Sequence, residues 1–309
     1  VGMTTSLAFE TAMMMKMVMN KKEKKKNMRK TTHLFVIATF AVFLQINMAE
    51  AKDQQQDLNA RLINGAAANQ IQEVRSALDD GAEIDGIEPM DGRTALMAAC
   101  LSGSSEVVKL LLDRGADYKK GNKDGYTCLH GAGFQGRAQV AEVALAAGLP
   151  AHAEHEDGFY PIHRAAWGSA KNHADTIRVL VLQGKENVDA LSRDGNTPLL
   201  AAAMSRTVNV DNFKVLVELG ANVNAKSPSG SNAVAMLAAG GPHSSQREEA
   251  IRLLIEAGFN LSAPVQGQPT EKFLLQWGYD RLVQGKRKEK KKGKGKKKGG
   301  KGKGKQEEL

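Results

Sequence analysis

The feature that most restricts how this chain can fold is a fixed internal period. "DGRTALMAACLSG" from Asp91 returns as "DGYTCLHGAGFQG" from Asp124, "DGFYPIHRAAWGS" from Asp157 and "DGNTPLLAAAMSR" from Asp194, at spacings of 33, 33 and 37 residues. A degenerate copy, "SGSNAVAMLAAGG", follows from Ser229 after a further 35. Each copy leads into an apolar segment that stops at or near a glycine, as in "VVKLLLDRG" and "FKVLVELG". An earlier stretch, "LNARLINGAAANQIQEVRSALDDGAEID", lacks the Asp-Gly start and keeps the rest. A unit of this length cannot bury its own apolar face, so the units must stack on one another.

Within a unit the residues predict a turn, a short helix, a loop, a second helix and a stop. Asp-Gly favours a turn because glycine tolerates positive φ and the aspartate can bond nearby amides. Thr94, Thr127 and Thr197 stand where an N-cap accepts from the first free N–H groups, and Pro161 and Pro198 fit the first helical position. Gly115, Gly148, Gly220 and Gly258 are expected to end the second helices in the left-handed conformation. Ala98-Ala99, Ala165-Ala166 and Ala201-Ala202-Ala203 let neighbouring helices approach closely.

These residues resemble the ankyrin repeat over roughly residues 57–260, where every copy meets the family pattern "DGxTPLHxAAxxGxxxVVxLLLxxGAxxNA" in part. Tyr160 stands for the Thr of that pattern and Cys128 for its Pro; the fifth copy has lost the Asp and Thr, and the last three units carry insertions between their helices. The resemblance implies an all-α solenoid of five to six stacked helix-loop-helix units with β-turn fingers. The expected organisation is a leader at 1–51, repeats at 52–260, a cap at 261–285 and a disordered Lys/Gly-rich tail at 286–309. In the cap, "EKFLLQWGYDRLV" reads as a helix using Phe273, Leu274, Trp277 and Leu282 to close the stack.

Charge tells the body from its ends. Of the net +9, residues 1–51 hold eight Lys and Arg against three acids and residues 286–309 thirteen against three, leaving 52–285 at −6. A mildly acidic body is not a basic nucleic-acid-binding domain. The leader contains a basic stretch, an apolar run over 34–46 and the small-x-small site Ala49-Glu50-Ala51, the anatomy of a secretory signal peptide cleaved after Ala51. A run of thirteen residues falls short of the ~20 that span a bilayer. A start at Met19 or Met28 would give the leader an ordinary length. Export to the ER lumen, periplasm or exterior is the expectation, and Asn260-Leu261-Ser262 would be a glycosylation sequon in an exporting eukaryotic host. The alternative is membrane anchoring by an uncleaved leader. The tail has almost nothing apolar to bury and is expected to stay disordered, adding at most a weak, salt-sensitive contact with an anionic partner. Its final "QEEL" matches ER-retrieval signals only loosely.

Aligned on the Asp-Gly turns, Phe134 and Trp167 share a position with Leu101, Met204 and Ala239, and a second row holds Arg93, Tyr126, Phe159, Asn196 and Ser231. The resemblance implies that both rows lie on the concave surface. Four of the chain's fifteen aromatic residues, Tyr126, Phe134, Phe159 and Trp167, would then cluster on two adjacent units. Exposed aromatics beside an arginine are the usual material of binding hot spots. The expected role is a non-enzymatic, monomeric scaffold that binds a protein or peptide through Arg93, Leu101, Tyr126, Phe134, Phe159, Trp167 and Met204, with Asp91, Asp124 and Asp157 as rim acids. The competing expectation is that these rings pack against neighbouring units. No small-molecule substrate, catalytic residue, cofactor or metal is expected. The resemblance gives His130 and His163 a turn-holding role. "HAEHED", with His152, Glu154, His155, Glu156 and Asp157, offers metal-ligand chemistry without the geometry a helix would enforce. Cys100 and Cys128 are expected to serve packing, since a bridge demands tight geometry.

Overall fold

A computed structural model describes residues 28–89, 92–120 and 125–284. The upstream leader, the Lys/Gly tail and two of the rim acids, Asp91 and Asp124, lie outside the described residues. The chain divides into two compact units, residues 1–57 and 58–309. In the first, helix α1 (Met28–Ala67) begins and runs without a break through Ala49-Glu50-Ala51. Its apolar side chains Val36, Ile37, Phe40, Phe43 and Met48 are exposed. Among the described residues no helix is long and apolar enough to cross a membrane.

Among the described residues, the second compact unit holds a stack of six helix pairs. The end of α1 pairs with α2 (Ile71–Asp79). Four pairs follow: α3 (Ala95–Ser102) with α4 (Ser105–Asp113), α5 (Cys128–Gln135) with α6 (Ala138–Ala146), α7 (Pro161–Trp167) with α8 (His173–Leu182), and α9 (Pro198–Met204) with α10 (Val210–Glu218). The sixth is α11 (Ala233–Ala239) with α12 (Ser245–Glu256). A two-residue antiparallel hairpin, β1 (Pro264–Val265) and β2 (Gln268–Pro269), then leads into α13 (Thr270–Gln276). From the second pair on, first helices pack on first helices, and from the first pair on second helices pack on second helices, giving two layers. Leu111, Leu129, Ile162, Ile177, Leu180, Leu199, Leu216 and Ile251 are fully buried in one continuous core between the layers. Each such side chain contributes about 1.5–3 kcal/mol by leaving water.

The local signals act as their chemistry requires. Thr94 and Thr197 accept from the amides of Met97 and Leu200. Thr127 sits at the same place, but its hydroxyl turns to His130 Nδ1 at 2.9 Å. Gly115, Gly148, Gly220 and Gly258 have φ between 88° and 101°. The fourth pair instead turns at Lys185, with φ 55°. Between fingers, side-chain oxygens of one pair accept backbone N–H groups of the next: Asp85 from Asp117, Asp189 from Asn222 and Asn224 from Asn260.

Two sequence expectations are corrected. Cys100 and Cys128 are joined in a disulfide, with Cα atoms 5.3 Å apart. The cause is register. Cys100 is the tenth residue of its repeat motif and Cys128 the fifth of the next, and stacking sets these two positions face to face. One seam later the same positions are Gly133 and Pro161, where a Cβ on Gly133 would lie 2.5 Å from the Pro161 carbonyl oxygen, so only glycine fits. The second correction concerns the cap. Leu274 is fully buried and Phe273 and Leu282 pack partly against the core, but Trp277 is 43% exposed; Tyr279 and Val283 are buried instead.

Candidate functional site

The first helices are short and almost wholly buried, since Ala95–Cys100, Leu129–Gly133 and Leu199–Ala203 all face the stack. The residue that follows each buried run has no core left to enter. At that register Phe134 is 49% exposed, Trp167 48% and Met204 54%, on three successive pairs. Leu101, at the same register, is half-buried and packs over Gly131, where an added Cβ would meet Leu101 Cδ2 at 3.3 Å. Ala239 continues the row without a large side chain.

The second row is engaged within the molecule. Arg93 pairs with Glu88 at 3.1 Å. Tyr126 and Phe159 are half-buried and flank the Arg164 guanidinium, whose central carbon lies 5.8 Å and 5.5 Å from their ring centres. Arg164 also donates to the Asp157 carboxylate, and His155 Nδ1 lies 2.8 Å from Asp157 Oδ1 and 3.2 Å from Arg164 Nη2. Burial alone would raise the Asp157 pKa; hydrogen bonds from His155 and the Phe159 amide, with the Arg164 charge, outweigh it and hold the pKa below the ordinary value. Burial raises that of Tyr126. The expected four-ring cluster is therefore divided: Phe134 and Trp167 face outward, while Tyr126 and Phe159 sandwich a cation, and the rim acid Asp157 is part of that assembly.

Arg164 was not legible as a partner of these rings, although a signal existed. It stands in a column otherwise filled by Ala98, Gly131, Ala201 and Met236, where a charged side chain must reach out of the helix layer to find a counter-ion. The two buried histidines do more than hold a turn. His130 Nδ1 accepts from the Thr127 amide and its Nε2–H donates to the Phe159 carbonyl of the next pair at 3.1 Å. His163 repeats this with the Tyr160 amide and the Asn196 carbonyl, at 2.9 Å for the latter. Burial favours the neutral ring and pushes each pKa down to about 4.

The "HAEHED" side chains part company in the fold. His152 stacks on Tyr160 with centroids 4.2 Å apart and lies 3.1 Å from the buried Glu186 carboxylate. Glu154 pairs with Arg193 at 2.8 Å, and His155 and Asp157 belong to the Arg164 assembly. Among the described residues no three His, Cys, Asp or Glu side chains are grouped to hold a metal ion.

A protein-family model described as ankyrin repeats matches residues 35–122, 62–157 and 162–265. No curated protein matches the chain.

Proposed function

Because the chain belongs to the ankyrin-repeat family, whose repeats generally mediate protein–protein interaction, we propose that it is a non-enzymatic, monomeric scaffold binding a protein or peptide segment across Leu101, Phe134, Trp167 and Met204. The observation that carries this reading is the row of three large apolar side chains, each about half exposed at one register on consecutive pairs. A surface of this kind lowers its free energy by covering its apolar area, and tryptophan and phenylalanine are efficient anchors for doing so. Tyr126 and Phe159, stiffened by Arg164, form a rigid polar-aromatic border, and Arg93 extends it at the second pair. The test is recovery of partners from the native host with the wild-type chain and with Trp167→Ala/Met204→Ala. Both substitutions are at exposed positions and should alter stability by no more than about 0.5 kcal/mol. Loss of a recovered protein at unchanged melting temperature supports the reading; equal recovery removes it.

We further propose that the protein is exported. The basic stretch, the apolar run over 34–46 and Ala49-Glu50-Ala51 support cleavage after Ala51. The Cys100–Cys128 disulfide supports it independently, since such bonds persist in oxidising compartments. N-terminal sequencing of the protein from its own host should begin at Lys52; a chain retaining residues 28–51 refutes cleavage. The Lys/Gly tail would add a weak contact to anionic surfaces, weakened by salt.

A further inference from the structure

The inserted loops of the fifth and sixth pairs flank a half-open cavity of about 260 Å³. Arg206, Thr207, Ser244, Gln246 and Arg247 supply its polar lining, and Val208 and Pro242 the apolar part. Two arginines line it, and no acid does. The nearest acids along the chain, Glu248 and Glu249, do not line it and are paired with Arg252 and Lys214.

Arg247 is only 3% exposed. Its guanidinium donates to the carbonyls of Leu237 at 2.9 Å, Gly240 at 3.1 Å and Arg206 at 3.2 Å. A guanidinium has five N–H groups, so these three bonds leave two without an acceptor. Carbonyl oxygens satisfy donors but do not neutralise a charge, and a buried cation without an anion is costly. Ser244 Oγ accepts from the Arg247 amide at 3.3 Å, which leaves its own proton to donate. Close by in the fold, Tyr279 is buried, its hydroxyl has no hydrogen-bond partner, and it feels the opposite charges of Arg247 and Glu248. Donors therefore outnumber acceptors around one polar cavity.

We propose that this cavity binds a small tetrahedral oxyanion, inorganic phosphate or a phosphate monoester. Its oxygens would accept from the free N–H groups of Arg247, from Arg206 and from the hydroxyls of Thr207 and Ser244. Donors converging from two loops suit a tetrahedral group with acceptors on several sides better than a planar carboxylate, which a single guanidinium fork would satisfy. The site is independent of the apolar row and stands whether or not a protein binds there.

The test uses the full chain, with inorganic phosphate titrated at constant ionic strength against sodium chloride and the melting temperature as readout. A saturable rise is expected for the wild type. Arg206→Gln, at an exposed position, should weaken the apparent Kd at least fivefold while leaving the melting temperature without phosphate unchanged. Arg247 ties down three carbonyls and is left intact. A parallel titration with N-acetyl-O-phosphoserine amide separates the two sources of the group: tighter binding than phosphate points to a phosphorylated side chain, weaker binding to a free anion, and either outcome upholds the site. No saturable response to either probe, or an undiminished response in Arg206→Gln, overturns the proposal.

Discussion

The two ends of the stack solve the same problem by different means. In the second and third pairs the loop between helices is short, and Gly103 (φ 90°) and Gly136 (φ 67°) close the first helix in a left-handed turn with backbone bonds, to which Ser102 Oγ adds a bond to the Ala99 carbonyl and His173 one to that of Phe134. In the fourth to sixth pairs the loops carry insertions, and the residues after the first helices, Gly168, Ser205 and Gly240, have no left-handed turn. Helix-end carbonyls then need donors from elsewhere. Buried polar side chains provide them from the following helix, and each reaches back one pair. His173 bonds the Phe134 carbonyl, Asn212 those of Ala165, Ala166 and Gly168, and Arg247 that of Arg206. At the seam between the second and third pairs the tie is the Cys100–Cys128 bond. Pairs with an insertion thus lack the left-handed backbone cap and keep only side-chain donors, and these side chains are links between units.

The largest effect that would break this contrast is expected from acid. His130 and His163 bond the third pair to the fourth and the fourth to the fifth, where the stack changes from one solution to the other. Their folded pKa values, about 4, lie below the usual 6.5. The folded state therefore binds fewer protons than the unfolded state between those values. Stability is complete above pH 6.5 and falls as the pH drops toward 4, by on the order of 3 kcal/mol per histidine. Urea unfolding at pH 7, 5.5 and 4.5 should show the loss, and His130→Gln/His163→Gln should flatten the profile. A wild-type midpoint independent of pH would contradict it.

Arg247→Ala ranks next. Three helix-end and loop carbonyls lose their donor, at about 4 kcal/mol. Because a repeat stack is stabilised by nearest neighbours, hydrogen exchange should show protection lost first in residues 198–256 and kept in 95–146. Uniform loss would mean that the two ends are not separable. The smallest effect is the mirror experiment. Cys100→Ala/Cys128→Ala should cost about 3 kcal/mol by releasing the closed loop in the unfolded chain, with extra exchange confined to residues 95–146.

What could be read from the sequence, and what could not, follows from the same contrast. The helix pairs, the glycine stops after the second helices and the Phe134, Trp167 and Met204 row are set within a single motif, so aligning the copies finds them. The disulfide joins the tenth position of one motif to the fifth of the next, a relation along the stack that spacing in one chain does not display. His173, Asn212 and Arg247 lie just beyond the insertions, where the alignment loses register, and each acts on a different unit from its own. Arg164 could be seen as the one charge in an otherwise uncharged column, but its partners Tyr126 and Asp157 come from two different fingers. The sequence places Trp277 in the cap, but the turn after α13 leaves it exposed and brings Tyr279 and Val283 in.

The bonds between fingers have a consequence for how such a chain can lengthen. Asp189 accepts an amide of the fifth pair, and Asn224, from that fifth pair, accepts one of the sixth. Each finger so linked carries the acceptor for its successor and the donor for its predecessor. A duplicated unit of this kind would arrive with both halves of the joint and orphan no polar group at either border. The disulfide and the arginine link have fixed addresses and could not be copied so freely. Growth by whole-unit duplication is therefore chemically easiest along the fingers, and the individual seams are where copies, once made, can diverge.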